Sequence, residues 1–317
     1  MRALTAFIAT PSAIGGNRVT ALRWAKRLRE LGWHVRVGAE WSEAEPCDLL
    51  VALHAHKSAT SIARHARLRP DGDRVVALTG TDVYGEGALE SLAAASRIVV
   101  LQPRAVDRVP AELRARTRVI VQSAVAPRGA EPLPGFTACS VANLRDVKDP
   151  LLAAHAVQLL PEDSSVRIVH VGAAHDASWA ERARAAEREA RGRWTWLGDK
   201  RRGDALCLLA GARLLVLTSR SEGGANVVTE AIAASVPVMS TRIEGSLGIL
   251  GDDYPGYFAV GDAEDLARAL SRCEREPSFL DELRRRVVAL QPLVAPERER
   301  ASWRELLAEM RVSHGGH

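Results

Sequence analysis

Short apolar runs alternate with amphipathic stretches along the whole chain. In the first part, apolar runs at Ala3–Ala9, His34–Val37, Leu49–Leu53, Arg74–Thr79, Ile98–Leu101 and Val119–Val121 predict strands. The stretches Val19–Leu31, Ala59–Arg69 and Gly87–Ser96 between them predict helices. Apolar strands without polar alternation belong to a parallel sheet covered by helices on both faces. The pattern breaks at residues 126–135, where three prolines and two glycines predict a linker. Alternation then restarts, with strands at Phe136–Val141, Val166–Val171, Trp194–Leu197, Leu214–Thr218, Val238–Thr241 and Tyr257–Val260. Helices are expected at Leu151–Leu160, Trp179–Arg191, Asp204–Ala210 and Ala225–Ala234, with three more helical stretches ending near Val312. The expected organisation is therefore an α/β chain of two similar halves, residues 1–125 and 136–275, with C-terminal helices over 276–317. Sheets of this kind present ligands at the carboxyl ends of their strands.

The length of 317 residues suits two such domains. A content of 47% hydrophobic and 26% charged residues excludes a disordered chain. No apolar run approaches the roughly 20 residues of a membrane span, and the apolar start leads quickly into Pro11, so it reads as a first buried strand rather than a signal peptide. The cysteines, at 47, 139, 207 and 273, form no CxxC pair. Neither a structural zinc nor a disulfide framework is expected, and a reducing cytoplasm is the simplest setting. Aromatic residues are only 4% of the chain and the basic residues form no stripe, which argues against nucleic acid as a partner. The small excess of +4 suits a small anionic substrate.

The most informative segment is Thr218 to Ala231, where an apolar strand gives way to Ser221-Glu222-Gly223-Gly224-Ala225-Asn226 and then a helix. Glycines there let a ligand approach the backbone, and the first helical amides face it. Glu222 stands before the helix and Glu230 almost two turns in, so the two carboxylates can grip hydroxyls at both ends of an extended ligand. The alternative reading is a plain strand–turn–helix, with Glu222 a cap and Glu230 exposed. Two decoys stand apart. Asp71-Gly72-Asp73 has a DxD spacing but follows Arg69-Pro70 and reads as a turn. Gly85 to Glu90 begins like GxGxxG, fails at the last position and follows no strand, and no GxxxxGK[ST] loop is present.

From Ser221-Glu222-Gly223-Gly224 through Glu230-Ala231 to Ala234-Ser235-Val236-Pro237-Val238, the chain resembles the ExxxxxxxE signature of retaining nucleotide-sugar glycosyltransferases of the GT-B type. Trp196-Leu197-Gly198, Ala212 to Ser219, Val169-His170-Val171-Gly172, and Thr10-Pro11 with Gly15-Gly16-Asn17 resemble other segments of that family, in the same order. The resemblance implies a GT-B fold, two Rossmann-like domains facing a cleft, with C-terminal helices crossing between them. It implies that Glu230 holds a nucleotide ribose. It also implies that Glu222, Gly223, Gly224, Ala225 and Asn226 hold the donor sugar and that Gly172 lines the nucleotide site. Lys148 would neutralise the departing diphosphate; Asn143 stands where many members carry arginine, which leaves Arg145 as the candidate for a second cation.

Within that family, Leu78 to Tyr84, Ala52 to Ala59, Leu144 to Pro150 and Gly251 to Phe258 resemble one branch, the selenosugar synthases of selenoneine biosynthesis. That likeness runs from Gly16 to the Pro292–Glu299 region. It implies transfer from a UDP-sugar, UDP-N-acetylglucosamine in the typical case, to selenophosphate, with a carbon–selenium bond formed, no cofactor or metal, and hand-over of the selenosugar to a downstream enzyme. Selenophosphate is a strong nucleophile that needs cations and amides more than a base. Its expected binders lie in the first domain: Gly15, Gly16, Asn17, Arg18, Lys57, Thr79, Gly80 and Thr81. Asp82 would meet sugar hydroxyls or orient His54. His54 is the remaining catalytic candidate, a packed core histidine being the alternative. Two other functions stay open: a hexosyltransferase with an oxygen acceptor, and a non-catalytic nucleotide-sugar-binding protein.

Overall fold

The computed structural model describes residues 3–11, 15–83 and 88–314. They form two compact units, one from the chain up to Ser123 together with the segment from Pro296 onward, the other from Ala124–Ala295.

The first unit holds strands β1 (Thr5–Ala9), β2 (His34–Gly38), β3 (Leu49–Leu53), β4 (Asp73–Leu78), β5 (Arg97–Val100) and β6 (Thr117–Val119). They make one six-stranded sheet in the order β2-β1-β3-β4-β5-β6, parallel throughout. Helices α1 (Gly16–Glu30), α2 (Ala59–Leu68) and α3 (Leu89–Ala93) connect the strands. Central β3 shows why an unbroken apolar run is required: all five residues are buried, and alternate ones serve different faces. Leu49, Val51 and Leu53 join the core under α1, while Leu50 and Ala52 join the clusters on the other side.

The second unit holds β7 (Thr137–Val141), β8 (Arg167–Val171), β9 (Trp194–Trp196), β10 (Leu214–Leu217), β11 (Val238–Thr241) and β12 (Tyr257–Phe258), again six strands and parallel throughout, in the order β12-β11-β10-β7-β8-β9. Its helices are α4 (Leu152–Gln158), α5 (Ala177–Glu189), α6 (Arg202–Gly211), α7 (Asn226–Ala233), α8 (Glu244–Leu250), α9 (Ala263–Arg275) and α10 (Pro277–Ala289). The sequence pattern did not announce α8; α9 ends at Arg275, the expected limit of the second domain, and α10 follows it within the same unit. The proline-rich stretch 126–135 has no helix or strand, but it does not hang free. Leu133 N donates to Gly211 O at 2.7 Å, and a methyl on Gly211 would lie 2.1 Å from Glu131 O. The stretch is packed along the end of α6 as part of the second unit.

The last helix, α11 (Pro296–His314), returns to the first unit. Trp303, Leu306, Leu307 and Met310 complete the core that Trp24 and Leu28 of α1 begin. The Trp24 and Trp303 rings meet edge to face at 5.0 Å. Beside them Glu299, 1% exposed, accepts from Trp24 Nε1 at 3.0 Å, Arg23 Nε at 3.1 Å and Ser123 Oγ at 2.5 Å. A carboxylate so enclosed is tolerable because each oxygen is bonded. Among the described residues no helix is long and apolar enough to cross a membrane.

Candidate active site

The order of the second sheet reverses between β7 and β10. Loops leaving these neighbouring strands turn apart and leave a crevice at their carboxyl ends. The loop after β7 makes a 3₁₀ turn over Asp146–Lys148, closed by Asp149 in the left-handed region at φ 43°. The loop after β10 runs through Ser219 and Glu222 to Asn226, the first residue of α7. The two loops are stitched together. Thr218 Oγ1 donates to Lys148 O at 2.9 Å, Arg220 N to Val147 O at 2.9 Å, and Arg220 Nη2 to Asp149 Oδ2 at 2.6 Å. On this frame the Lys148 ammonium is bonded to Glu222 Oε1, which also accepts from Ser219 Oγ at 2.7 Å. The pair is mostly shielded, with side chains 18% and 11% exposed. Gly245 of α8 backs the loop: a methyl there would lie 2.3 Å from Glu222 O.

Glu230 is buried on α7, which removes the reading of an exposed helix residue. Its Oε1 accepts from Arg202 Nη2 at 2.6 Å. Gly223, Gly224 and Ala225 are buried ahead of α7, and Asn226 is half-buried. Gly172 follows β8 where backbones crowd: a methyl would lie 1.9 Å from Ala142 O. Trp196 Nε1 donates to its carbonyl at 2.9 Å, and Asn143 Oδ1 accepts from Ala173 N at 3.2 Å, so Asn143 serves the loop rather than a ligand charge. Arg145 is exposed and makes no ion pair among the described residues. Arg202, Arg220, Ser219 and Gly245 are the parts of this site that the sequence pattern did not flag.

The first sheet reverses between β1 and β3. Gly15, at φ 87°, precedes α1, and Gly16, Asn17 and Arg18 form its first turn. His54 follows β3 and takes φ 72°, a strained choice for a residue with a side chain. The buried Asp82 carboxylate holds the loops after β3 and β4. It accepts from Ala55 N at 2.9 Å and Gly80 N at 2.8 Å, and lies 3.6 Å from His54 Nδ1. Burial pushes the His54 imidazole below its usual value, against the pull of Asp82, with Lys57 and His56 pushing the same way as burial. The ring is therefore neutral at pH 7. Among the described residues its Nδ1 has no hydrogen-bond partner, and neither do the buried hydroxyls of Thr10 and Thr79. The carboxyl ends of β1, β3 and β4 thus carry one orphan polar atom each. Lys57 is exposed, while Ser58 Oγ is spent on Leu53 O at 2.7 Å. The side chain of Thr81, Tyr84, and residues 85–87 of the glycine decoy lie outside the described residues. Asp71-Gly72 is a turn leading into β4, as its spacing after Pro70 predicts.

A family model described as glycosyl transferases group 1 matches residues 126–289, just over half of the chain. No curated protein matches the chain by sequence. Solved structures do match in fold. HepE from Anabaena, in complex with UDP and glucose, has a TM-score of 0.79 at 16% identity, over 97% of this chain and 100% of that one. Sucrose-phosphate synthase from Thermosynechococcus elongatus has a TM-score of 0.76 at 17% identity, over 98% and 100%. The pneumococcal O-GlcNAc transferase GtfA, in complex with UDP and GlcNAc, has a TM-score of 0.66 at 13% identity, over 83% and 56%. The two parallel six-stranded sheets with their helices are those of the GT-B fold.

Proposed function

This chain belongs to the glycosyl transferases of group 1, and on that premise we propose that it transfers the sugar of UDP-N-acetylglucosamine to selenophosphate. The observation that carries the donor half is the Lys148–Glu222 pair at the reversal point of the second sheet, with Glu230 buried about one turn along the adjoining helix. UDP is also the nucleotide named with two of the structures that share the fold.

In this reading Glu230 takes the ribose hydroxyls, and Glu222 with the amides of Gly223, Gly224 and Ala225 takes the donor sugar. Lys148 meets the negative charge that grows on the diphosphate as the anomeric carbon–oxygen bond breaks. Arg145, on the same loop, is the second cation. A lone pair on selenium forms the carbon–selenium bond, and the electron pair of the broken bond leaves with UDP. Hydrolysis of the phosphorus–selenium bond then gives phosphate and a selenol-bearing sugar, which passes to a downstream enzyme. The reaction calls on no cofactor or metal, and the cytoplasm is its proposed setting.

The acceptor half rests on the sequence resemblance around His54 and Asp82. It draws support from the orphan hydroxyls of Thr10 and Thr79 and the neutral His54, which suit the oxygens of a small anion. Gly15 to Arg18 and Lys57 are the other proposed contacts.

The test is anaerobic UDP release from UDP-N-acetylglucosamine, with and without selenophosphate, with mass detection of a selenium-containing sugar. Selenophosphate-dependent release with that mass is the expected result. Release without a selenosugar would keep the transferase and move the acceptor to an oxygen nucleophile. No release from any UDP-sugar would leave a binding protein.

A further inference from the structure

Helix α6 begins against its own electrostatics. Arg201 and Arg202 stand at its N-terminus, where the helix dipole favours acids and disfavours cations. Arg201 is repaid locally by Asp204, its neighbour on the helix, at 3.0 Å. Arg202 is not paired within its helix. It reaches across to α7 and bonds Glu230, a residue 28 positions away, at 2.6 Å. A local rule broken at one spot, with the compensation found on another element, marks a position kept for the site it serves.

The pair is lopsided. Glu230 is 6% exposed and Arg202 48%, so the acid is enclosed and the base lies over it on the solvent side. Among the described residues Arg202 is the one side chain that donates to this carboxylate, and it uses Oε1 alone. A carboxylate bonded through one oxygen is fixed in its plane, and its second oxygen keeps its full capacity to accept. Two neighbouring hydroxyls on a ring are read well by an acceptor so fixed and poorly by one that can rotate.

We propose that Arg202 is a positioning residue for the nucleotide ribose: it clamps the Glu230 carboxylate so that the free oxygen meets the 2′ and 3′ hydroxyls. The inference rests on the reading above, in which Glu230 takes the ribose, and it adds the residue that makes that contact selective.

Calorimetric titration of the full chain with UDP and with 2′,3′-dideoxy-UDP tests it. Wild type is expected to prefer UDP by about tenfold or more, and Glu230→Gln to lose most of that preference. Arg202→Ala is expected to weaken UDP about tenfold while changing dideoxy-UDP less than about twofold. Arg202→Lys keeps a donor without the planar fork and should fall between the two. Thermal melts of each variant show whether it is folded, and Arg202→Gln stands in should the alanine variant melt early. Equal weakening of both nucleotides by Arg202→Ala would place Arg202 on the base or the phosphates and overturn the proposal, as would no change in either. A wild type that binds both nucleotides alike, with Glu230→Gln indistinguishable from it, would instead remove the ribose from Glu230, and the proposal with it.

Discussion

Both sheets reverse their strand order once, and the two reversal points are furnished in opposite ways. At the second, acids and cations are already matched side chain to side chain: Lys148 with Glu222, Arg202 with Glu230, Arg220 with Asp149. At the first, the enclosed acid Asp82 spends its oxygens on backbone amides, and among the described residues Thr10, His54 and Thr79 present polar atoms without partners. A matched array of charges holds its geometry while a polyanion with several hydroxyls settles among it. A set of neutral groups suits a smaller ligand that supplies the missing hydrogen bonds itself. The fold is repeated, and the electrostatics are not.

The sharpest way to break this contrast is Lys148→Ala. Removing the cation at the leaving group should lower turnover by about 100- to 1,000-fold with the variant still folded. Steady-state assay of UDP release reads it, and turnover near wild type would take Lys148 out of the scheme. Asp82→Ala attacks the other side. Stranding two buried amide groups should cost roughly 3 kcal/mol of stability in the first unit, seen in denaturant unfolding, while calorimetric UDP affinity stays within about twofold. A stable variant with weakened UDP binding would dissolve the division of labour.

Acid should act on both units alike, because each encloses a neutral histidine. Burial lowers His65 and His170 from 6.5 to about 4. The unfolded chain then binds protons below pH 6.5 that the folded chain refuses until about pH 4. Stability is fully present above 6.5 and falls as pH drops through that window, by up to about 3 kcal/mol for each histidine. Urea unfolding at pH 7 and pH 5 measures the loss, and His170→Gln should remove the share that belongs to the second unit; an unchanged midpoint in the wild type would mean that neither histidine is held neutral. The smallest effect is expected from Arg145→Ala. Its side chain is exposed and makes no ion pair among the described residues, so turnover should change by less than about fivefold, well short of the Lys148 variant.

Strand positions were legible because a strand buried on both faces admits few polar residues. Leu49–Leu53 and Val238–Thr241 match the structure residue for residue, and most other strand ends shift by one or two positions. Helix α8 was hidden by Gly245 and Gly248, which weaken any helical signal. The structure shows why Gly245 is there: Glu222 O occupies the space of a side chain. Glu222 and Glu230 were singled out by the strand–turn–helix pattern and its signature spacing, and Lys148 by the family resemblance around Asn143 to Pro150. Arg202 could not, since Lys200-Arg201-Arg202 looks like an ordinary solvated run until α6 and α7 are set side by side. Asp82 was legible as a candidate, but its bonds to Ala55 N and Gly80 N depend on loop geometry that no local pattern encodes.

The return of α11 to the first unit has a consequence for synthesis. A nascent chain emerges from its N-terminus, and domains ordinarily fold in that order. Here residues 124–295 are contiguous and can close as soon as they leave the ribosome. Residues up to Ser123 leave earlier but lack Trp303 and Glu299, so the face around Trp24 and Leu28 stays uncovered until the last helix arrives. The unit made first is finished last, and its tryptophan face stays bare during that wait.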